Sequence, residues 1–321
     1  MDQRYSVIIP TYNRREGLAL VFRGLEAQDA PELIEEVIIV DDGSSDGTGD
    51  WVRTQTLSWP MRLREGRRGG PAAARNAGIE VAAGKYALFL CDDIEPAPAL
   101  VRRHHQCRDR GAATCCVQGR VDWPLDTKVT HFMRFALKHY HWSFEGLTDG
   151  EELEWRHFVT SNASVELATL REQGCFDEGF TYGFEDTDLG LRLERAGTLL
   201  RYAEGALGYH HHLIDLASYC TREEAVGKSA AHFARKHRDL PDLIGISKLP
   251  RPGSPRWFAK GLARNRLNIA CWRWLASAVD RAGLERMAET LYFQILSYYY
   301  YRGMAAGLRD ESTKPEPSGA S

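Results

Sequence analysis

Three short apolar runs in the first hundred residues each stop at polar or acidic residues, and this limits the folds open to the chain. Tyr5–Ile9 runs into Pro10-Thr11, Val37–Val40 into Asp41-Asp42, and Tyr86–Leu90 into Cys91-Asp92-Asp93. Runs this short read as buried strands rather than helices. Between them the spacing changes. Leu18, Val21, Phe22 and Leu25 recur at helical intervals over residues 16–28, and a further helix is expected over residues 71–83. Asp46 is placed to cap a helix running through Trp51 and Val52, and Met61–Arg64 reads as a short third strand. Strand–helix alternation implies right-handed crossovers and an α/β fold, with a mostly parallel sheet covered by helices on both faces. Ligands bind such sheets beyond the carboxyl ends of the strands. The three polar ends therefore converge on one edge as a candidate site.

Further along, Val117–Val121 reads as a strand and Phe176–Gly183, rich in Gly and aromatics, as a loop. Glu185-Asp186 stands just before a helix expected over Asp186–Ala196, with Gly197 as its C-cap. Residues 216–240 look helical. The Pro/Gly segment Leu249–Pro255 then separates a helical C-terminal extension of about 257–309, and the tail from Asp310 has a disordered composition.

Bulk properties exclude several classes. With 43% hydrophobic and 26% charged residues the composition is globular, and a net charge of -3 offers no global attraction for nucleic acid. The N-terminus lacks a charged region followed by an apolar one, and no apolar run reaches the roughly 20 residues of a membrane span. A cytoplasmic protein is expected. Seven scattered cysteines with no Cys-x-x-Cys pair suggest neither zinc nor a disulfide framework.

Paired acids at strand ends suit one chemistry well. Moving a sugar off a nucleoside diphosphate needs a hold on the nucleotide, neutralisation of the departing diphosphate and removal of a proton from the acceptor hydroxyl. A divalent cation held by carboxylates does the second, and a carboxylate beside the acceptor does the third. Any one pair could simply cap a turn or helix; three pairs in one plausible arrangement point to a site.

The motifs also carry a resemblance. Val7–Arg14 (VIIPTYNR) and Val40–Asp46 (VDDGSSD) look like the opening of family-2 glycosyltransferases with the GT-A fold. Gly70–Gly78 (GPAAARNAG) and Leu88–Asp93 (LFLCDD) resemble its next two segments. Ser161–Ser164 (SNAS), Phe176–Phe180 (FDEGF) and Glu185–Leu193 (EDTDLGLRL) match its later half. The resemblance covers about residues 5–215, in order. It implies a catalytic domain over residues 1–215, split into a nucleotide-binding half to about residue 95 and an acceptor half from 96. Residues 216–309 would be a helical region and 310–321 a tail.

The same resemblance implies roles. Thr11 and Asp42 would contact the nucleoside, with Pro10, Tyr12 and Arg14 shaping the pocket. Arg75 would lie near the nucleotide, Asp92 would contact ribose or sugar, and Asn162 would join the donor site. Asp93 would bind Mn²⁺ or Mg²⁺. Asp186 would be the general base of a single displacement with inversion, and Glu185 would contact the acceptor or orient the base. Where the acidic motif often carries a third acid, Cys91 precedes the pair and Ile94 follows it. That shifts weight onto His210 as the second metal ligand, in Tyr209-His210-His211-His212. If this stretch is extended, His210 and His212 point to one side.

The implied partners are a nucleotide-sugar donor, UDP-linked first, and a glycan, lipid-linked or small-molecule acceptor, with no nucleic acid. From Leu243 to Val279 there is no acid, while Lys248, Arg251, Arg256, Lys260, Arg264, Arg266 and Arg273 alternate with aromatics. Either this is an amphipathic helix with a solvated basic face, or residues 248–274 touch the inner face of a membrane. The last helix carries Leu284, Met287, Leu291, Ile295 and Tyr298 at helical spacing, which suits core packing or a homodimer. Two other functions stay open: a sugar nucleotidyltransferase, and a sugar-nucleotide-binding protein without activity. A nicotinamide dehydrogenase is disfavoured, because Gly-x-Gly-x-x-Gly is absent after the first strand.

Overall fold

The computed structural model describes residues 3–66, 68–110, 115–140, 144–240 and 266–312. In chain order the elements begin β1 (Tyr5–Thr11), α1 (Arg15–Glu26), β2 (Ile34–Asp41), α2 (Thr48–Arg53), β3 (Met61–Glu65), α3 (Gly70–Val81) and β4 (Tyr86–Leu90). Next come β5 (Ile94–Pro96), α4 (Leu100–Asp109), β6 (Cys115–Asp122), α5 (His131–Tyr140), β7 (Glu152–Leu153) and β8 (Asn162–Glu166). The chain continues through α6 (Leu167–Glu172), α7 (Glu185–Arg195), β9 (Leu199–His210), α8 (Leu216–Lys236), α9 (Arg266–Arg281) and α10 (Glu285–Ser312).

The chain divides into two compact units. The first holds a nine-stranded sheet with order β3-β2-β1-β4-β8-β6-β9-β5, and β7 pairs with β9. From β3 to β4 every pairing is parallel, as the strand–helix alternation predicts. Beyond β4 the sheet is mixed: β8 runs antiparallel to β4 and β6, β9 is parallel to β6, and β5 is antiparallel to β9. The reversal at β8 has a consequence for chemistry. Parallel strands bring their carboxyl ends to the site edge, whereas β8 brings its beginning there. The register pairs Leu90, at the end of β4, with Asn162, at the start of β8.

The core follows the apolar runs. Val7, Ile8, Ile9, Val37, Ile38, Ile39, Leu88 and Phe89 are fully buried. Behind β8 the core is polar and largely hydrogen-bonded, though Arg108 Nε has no partner. His104 on α4 lies 2.9 Å from Asn162 Oδ1 and 3.0 Å from Ser164 Oγ. Arg108 donates to Ser164 and to the Cys115 carbonyl and covers the Tyr86 ring. Burial lowers the His104 pKa from the ordinary 6.5 to about 4, the bond to Asn162 opposing. The folded value lies below the unfolded one, so this contribution is whole above about pH 6.5 and is lost as pH falls towards 4. Linkage puts it at about 3 kcal/mol. Stability measured by equilibrium unfolding should therefore fall between pH 7 and 4, and His104→Gln should flatten that slope. An unchanged slope in the variant would refute the assignment.

The second unit contains α8, α9 and α10 together with Thr130–Ala136 and Tyr182–Phe184. Helices α8 and α10 meet at glycines: a Cβ at Gly227 would lie 2.0 Å from the Tyr300 carbonyl oxygen, and one at Gly303 would lie 1.9 Å from that of Glu224. The apolar stripe expected on the last helix is offset. Leu284 and Met287 are exposed, while Ala288, Tyr292, Ile295, Leu296 and Met304 are buried. The buried face is displaced around the helix from the expected one, and Tyr292 on it packs against the Phe132 and Phe135 rings of α5. Among the described residues no helix is long and apolar enough to cross a membrane. The basic residues from Lys248 to Arg264 lie outside the described residues, as does the segment Leu249–Pro255.

Candidate active site

All the functional side chains discussed below lie in the first unit. The β1 end supplies Pro10, half-buried, and Thr11, buried. Thr11 Oγ1 donates to Asp92 Oδ2 at 2.8 Å, and the Asp42 amide donates to the Thr11 carbonyl at 2.9 Å. Asn13 follows in the left-handed region, at φ 53°. Its side-chain oxygen accepts from the Ser45 amide and its own amide donates to Ser44 Oγ, which ties the β1 end to the loop after β2.

Asp41 and Asp42 divide their work. Asp41 is buried and accepts from the Ser44 amide, so it shapes the turn. Asp42 accepts from the Gly69 and Gly70 amides, one on each oxygen, both at 2.8 Å. An acid at the start of α3 suits the helix dipole. Beside it Tyr12 is exposed, and the Arg68 guanidinium lies over its ring at 4.8 Å and contacts its hydroxyl. This exposed aromatic next to an anchored carboxylate is where the expected nucleoside contacts sit.

The turn between β4 and β5 carries Asp92 and Asp93. Gly17 of α1 packs on it so closely that a Cβ there would fall 2.5 Å from the Asp92 carbonyl oxygen. Asp93 Oδ2 is 2.7 Å from Arg14 Nη1 and 3.5 Å from His210 Nε2. Burial alone would raise the Asp93 pKa, but the His210 bond and charge, with Arg14 and His212, hold it at about 2. Burial and the charge of Asp93 push the Asp92 carboxyl up to about 7.

His210 arrives on β9, opposite Ile94 of β5, and its ring meets Trp123 edge-on at 4.8 Å. The expected alternation is visible: the His212 ring lies 6.1 Å from that of His210, while His211 turns to Glu95 at 2.6 Å. Glu95 is also gripped by both ends of the Arg23 guanidinium. A cleft of about 500 Å³ opens beside Asp93, lined by Asn13, Arg14, Arg15, Asp46, His211 and His212 among others.

Glu185 and Asp186 occupy the first turn of α7 rather than a loop before it. Arg75, expected near the nucleotide, contacts this pair: its Nη1 lies 3.2 Å from Glu185 Oε1 and 3.9 Å from Asp186 Oδ1. Burial works against the Arg75 charge, and the Asp186 and Glu185 carboxylates more than restore it. Burial, then Asp186, raises the Glu185 pKa, with Arg75 opposing. Thr160, which motif reasoning passed over, donates to both oxygens of Asp186, from its amide at 3.0 Å and its hydroxyl at 2.7 Å.

Cys91 connects the two acidic groups. Burial, followed by the charges of Asp93, Asp92 and Asp186, raises its thiol pKa, with Arg75 opposing. The Cys91 amide donates to the Ser161 carbonyl at 3.3 Å, next to the Thr160 that holds Asp186. Asn162 requires a correction. It is fully buried, its amide nitrogen donates to the Arg120 and Ala206 carbonyls, and its oxygen faces His104. With every position engaged and no exposed surface, it braces β8 against β6 and β9 and has no group left for a donor.

Residues 6–165 match the family model for glycosyl transferase family 2. The chain belongs to this family. This family-2 glycosyltransferase is 26% identical over 290 residues to the uncharacterized glycosyltransferase YfnE of Bacillus subtilis, covering 74% of this chain and 71% of the relative. Against three further curated relatives the match spans between 34% and 66% of the relative's length. Among solved structures, the mannosyltransferase PcManGT of Pyrobaculum calidifontis, in complex with GDP-Man and Mn2+, superposes with a TM-score of 0.60 at 19% identity. That match covers 96% of this chain and 88% of that one. TarS of S. aureus in complex with UDP-GlcNAc gives 0.54 at 16% identity, covering 96% and 92%. Both likenesses bear on the fold, which is GT-A.

Proposed function

We propose that this family-2 glycosyltransferase moves a sugar from a nucleoside diphosphate sugar to an acceptor hydroxyl by one inverting displacement. The observation that carries the proposal is the hydrogen bond from the Cys91 amide to the Ser161 carbonyl, which ties the strand end bearing Asp92-Asp93 to the segment whose Thr160 holds Asp186. In the step, the acceptor oxygen bonds to the anomeric carbon as its proton passes to the Asp186 carboxylate. The bond from the anomeric carbon to the diphosphate breaks with its electron pair on the diphosphate. Tyr12, Thr11 and Asp42 surround the nucleoside, and Asp92 faces the ribose or sugar. The solved neighbours were caught with UDP-GlcNAc and GDP-Man, so a uridine donor is the first to test and a guanosine donor the second. The acceptor is a glycan, a lipid-linked saccharide or a small molecule, and the enzyme works in the cytoplasm.

The residues present fit a divalent cation. Among the described residues no three His, Cys, Asp or Glu side chains gather as a metal cage. Asp93 and His210, 3.5 Å apart, offer one oxygen and one nitrogen. That sparse set suits Mn²⁺ or Mg²⁺, which keep waters and take phosphate oxygens rather than demanding a full protein shell. Such an ion would neutralise charge on the departing diphosphate.

Arg14 now grips the Asp93 oxygen that a cation would take. Two variants test this reading by calorimetry with MnCl₂. Asp93→Asn should lose Mn²⁺-dependent binding of UDP or GDP. Arg14→Ala should bind Mn²⁺ alone more tightly, by about tenfold if the competing ion pair is worth about 1.4 kcal/mol. Nucleotide binding that ignores Mn²⁺ in the wild type and in Asp93→Asn alike would overturn the metal assignment.

A further inference from the structure

Asp186 is set at the first turn of α7, but nothing within α7 fixes the plane of its carboxylate. The Asp χ2 torsion joins sp³ and sp² atoms and is soft, so the two oxygens can sweep a wide arc. The atoms that stop this belong to another part of the chain. The Thr160 amide donates to one oxygen at 3.0 Å and its hydroxyl to the other at 2.7 Å. Arg75 stands 3.9 Å from the oxygen that the hydroxyl already holds. We propose that Thr160 is a positioning residue for the general base: it locks the carboxylate plane so that a lone pair faces the acceptor hydroxyl. The proposal rests on the reading of Asp186 as base.

Three features of Thr160 suit this task. It is fully buried, so water does not compete for its hydroxyl. Its β-branched side chain has a stiff χ1, which holds the hydroxyl in one direction. It lies two residues before β8, and the neighbouring Ser161 carbonyl accepts from the Cys91 amide at 3.3 Å. The antiparallel pairing of β8 with β4 therefore ties the clamp to the strand that carries the donor and metal acids. Base and donor site share one rigid support, as a displacement needing alignment of three groups requires.

The test compares Thr160→Val, Thr160→Ser and Asp186→Asn in the full chain. The assay measures nucleoside diphosphate release with Mn²⁺, using whichever of UDP-GlcNAc and GDP-mannose the wild type turns over. Valine keeps the shape and the amide but removes the hydroxyl. Its kcat should fall about 10- to 100-fold while the donor KM and calorimetric Kd stay within about twofold. Serine restores the donor without the stiffness and should recover most of kcat. A Thr160→Val enzyme with near-normal kcat, or a serine variant as impaired as the valine one, would overturn the proposal. A kcat loss matched by an equal loss of nucleotide binding would also overturn it, as a merely structural role. Asp186→Asn separates the two levels: normal turnover there sinks the base assignment itself, whereas an inactive Asp186→Asn beside a normal Thr160→Val sinks only the clamp.

Discussion

Asp186→Asn is expected to reduce sugar transfer by about 10²- to 10⁴-fold, the usual contribution of a positioned base. The substitution keeps the size of the side chain but removes the charge and the proton-accepting lone pair. It also places an amide NH₂ opposite donors. Both oxygens of Asp186 now accept from Thr160, so one of these bonds must reverse or break, and the Thr160 hydroxyl is the one that can rotate to accept. The nucleotide contacts lie on β1, β2 and β4, so calorimetric donor affinity should change by less than about twofold. Turnover near the wild-type rate in this variant would remove Asp186 from the mechanism. Loss of donor binding together with activity would instead mark it as structural.

Gly227→Ala should destabilise the helical unit, although helix propensity alone argues the other way. An exposed Gly→Ala change inside a helix gains about 1 kcal/mol. Here the new methyl would stand 2.0 Å from the Tyr300 carbonyl oxygen and 2.9 Å from the Met304 nitrogen, atoms that cannot swing aside as a side chain would. Helices α8 and α10 must part, losing contacts along the face that buries Tyr292, Ile295, Leu296 and Met304. Overpacking typically costs about 1–3 kcal/mol, and a clash with backbone belongs at the upper end, so a net loss of about 2 kcal/mol is expected. Gly303→Ala should behave the same way. Denaturant unfolding followed by circular dichroism decides the sign: a more stable Gly227→Ala protein would show that the close approach is wrong.

Much of the candidate site was legible because its signals are local. Pro10-Thr11 and Asp41 are the last residues of β1 and β2, Asp42 follows β2 directly and Asp92-Asp93 stand just past β4, so reading the strands also places these residues. Alternation set His210 and His212 on one side without choosing between them; the approach to Asp93 at 3.5 Å is made by His210. Asn162 and Arg75 show where such reading stops. Each stands in a motif, and a motif names a residue without saying which way it faces. Asn162 faces His104 and two carbonyls in the core, and Arg75 faces the Glu185-Asp186 pair 110 residues away. Thr160 carried no signal at all: its role depends on a bond to a residue 26 positions later.

The alternation of apolar runs with helical spacing by itself determined the parallel half of the sheet, the edge where chemistry gathers and the acids that stand there. These follow from periodicity and strand termination, which act over a few residues. Only the tertiary structure decided that β8 runs backwards beside β4, and hence that Thr160 rather than a strand's far end meets Asp186. Strand direction depends on chain closure and packing over the whole sheet, and the residues within β8 would alternate in the same way whichever way it ran.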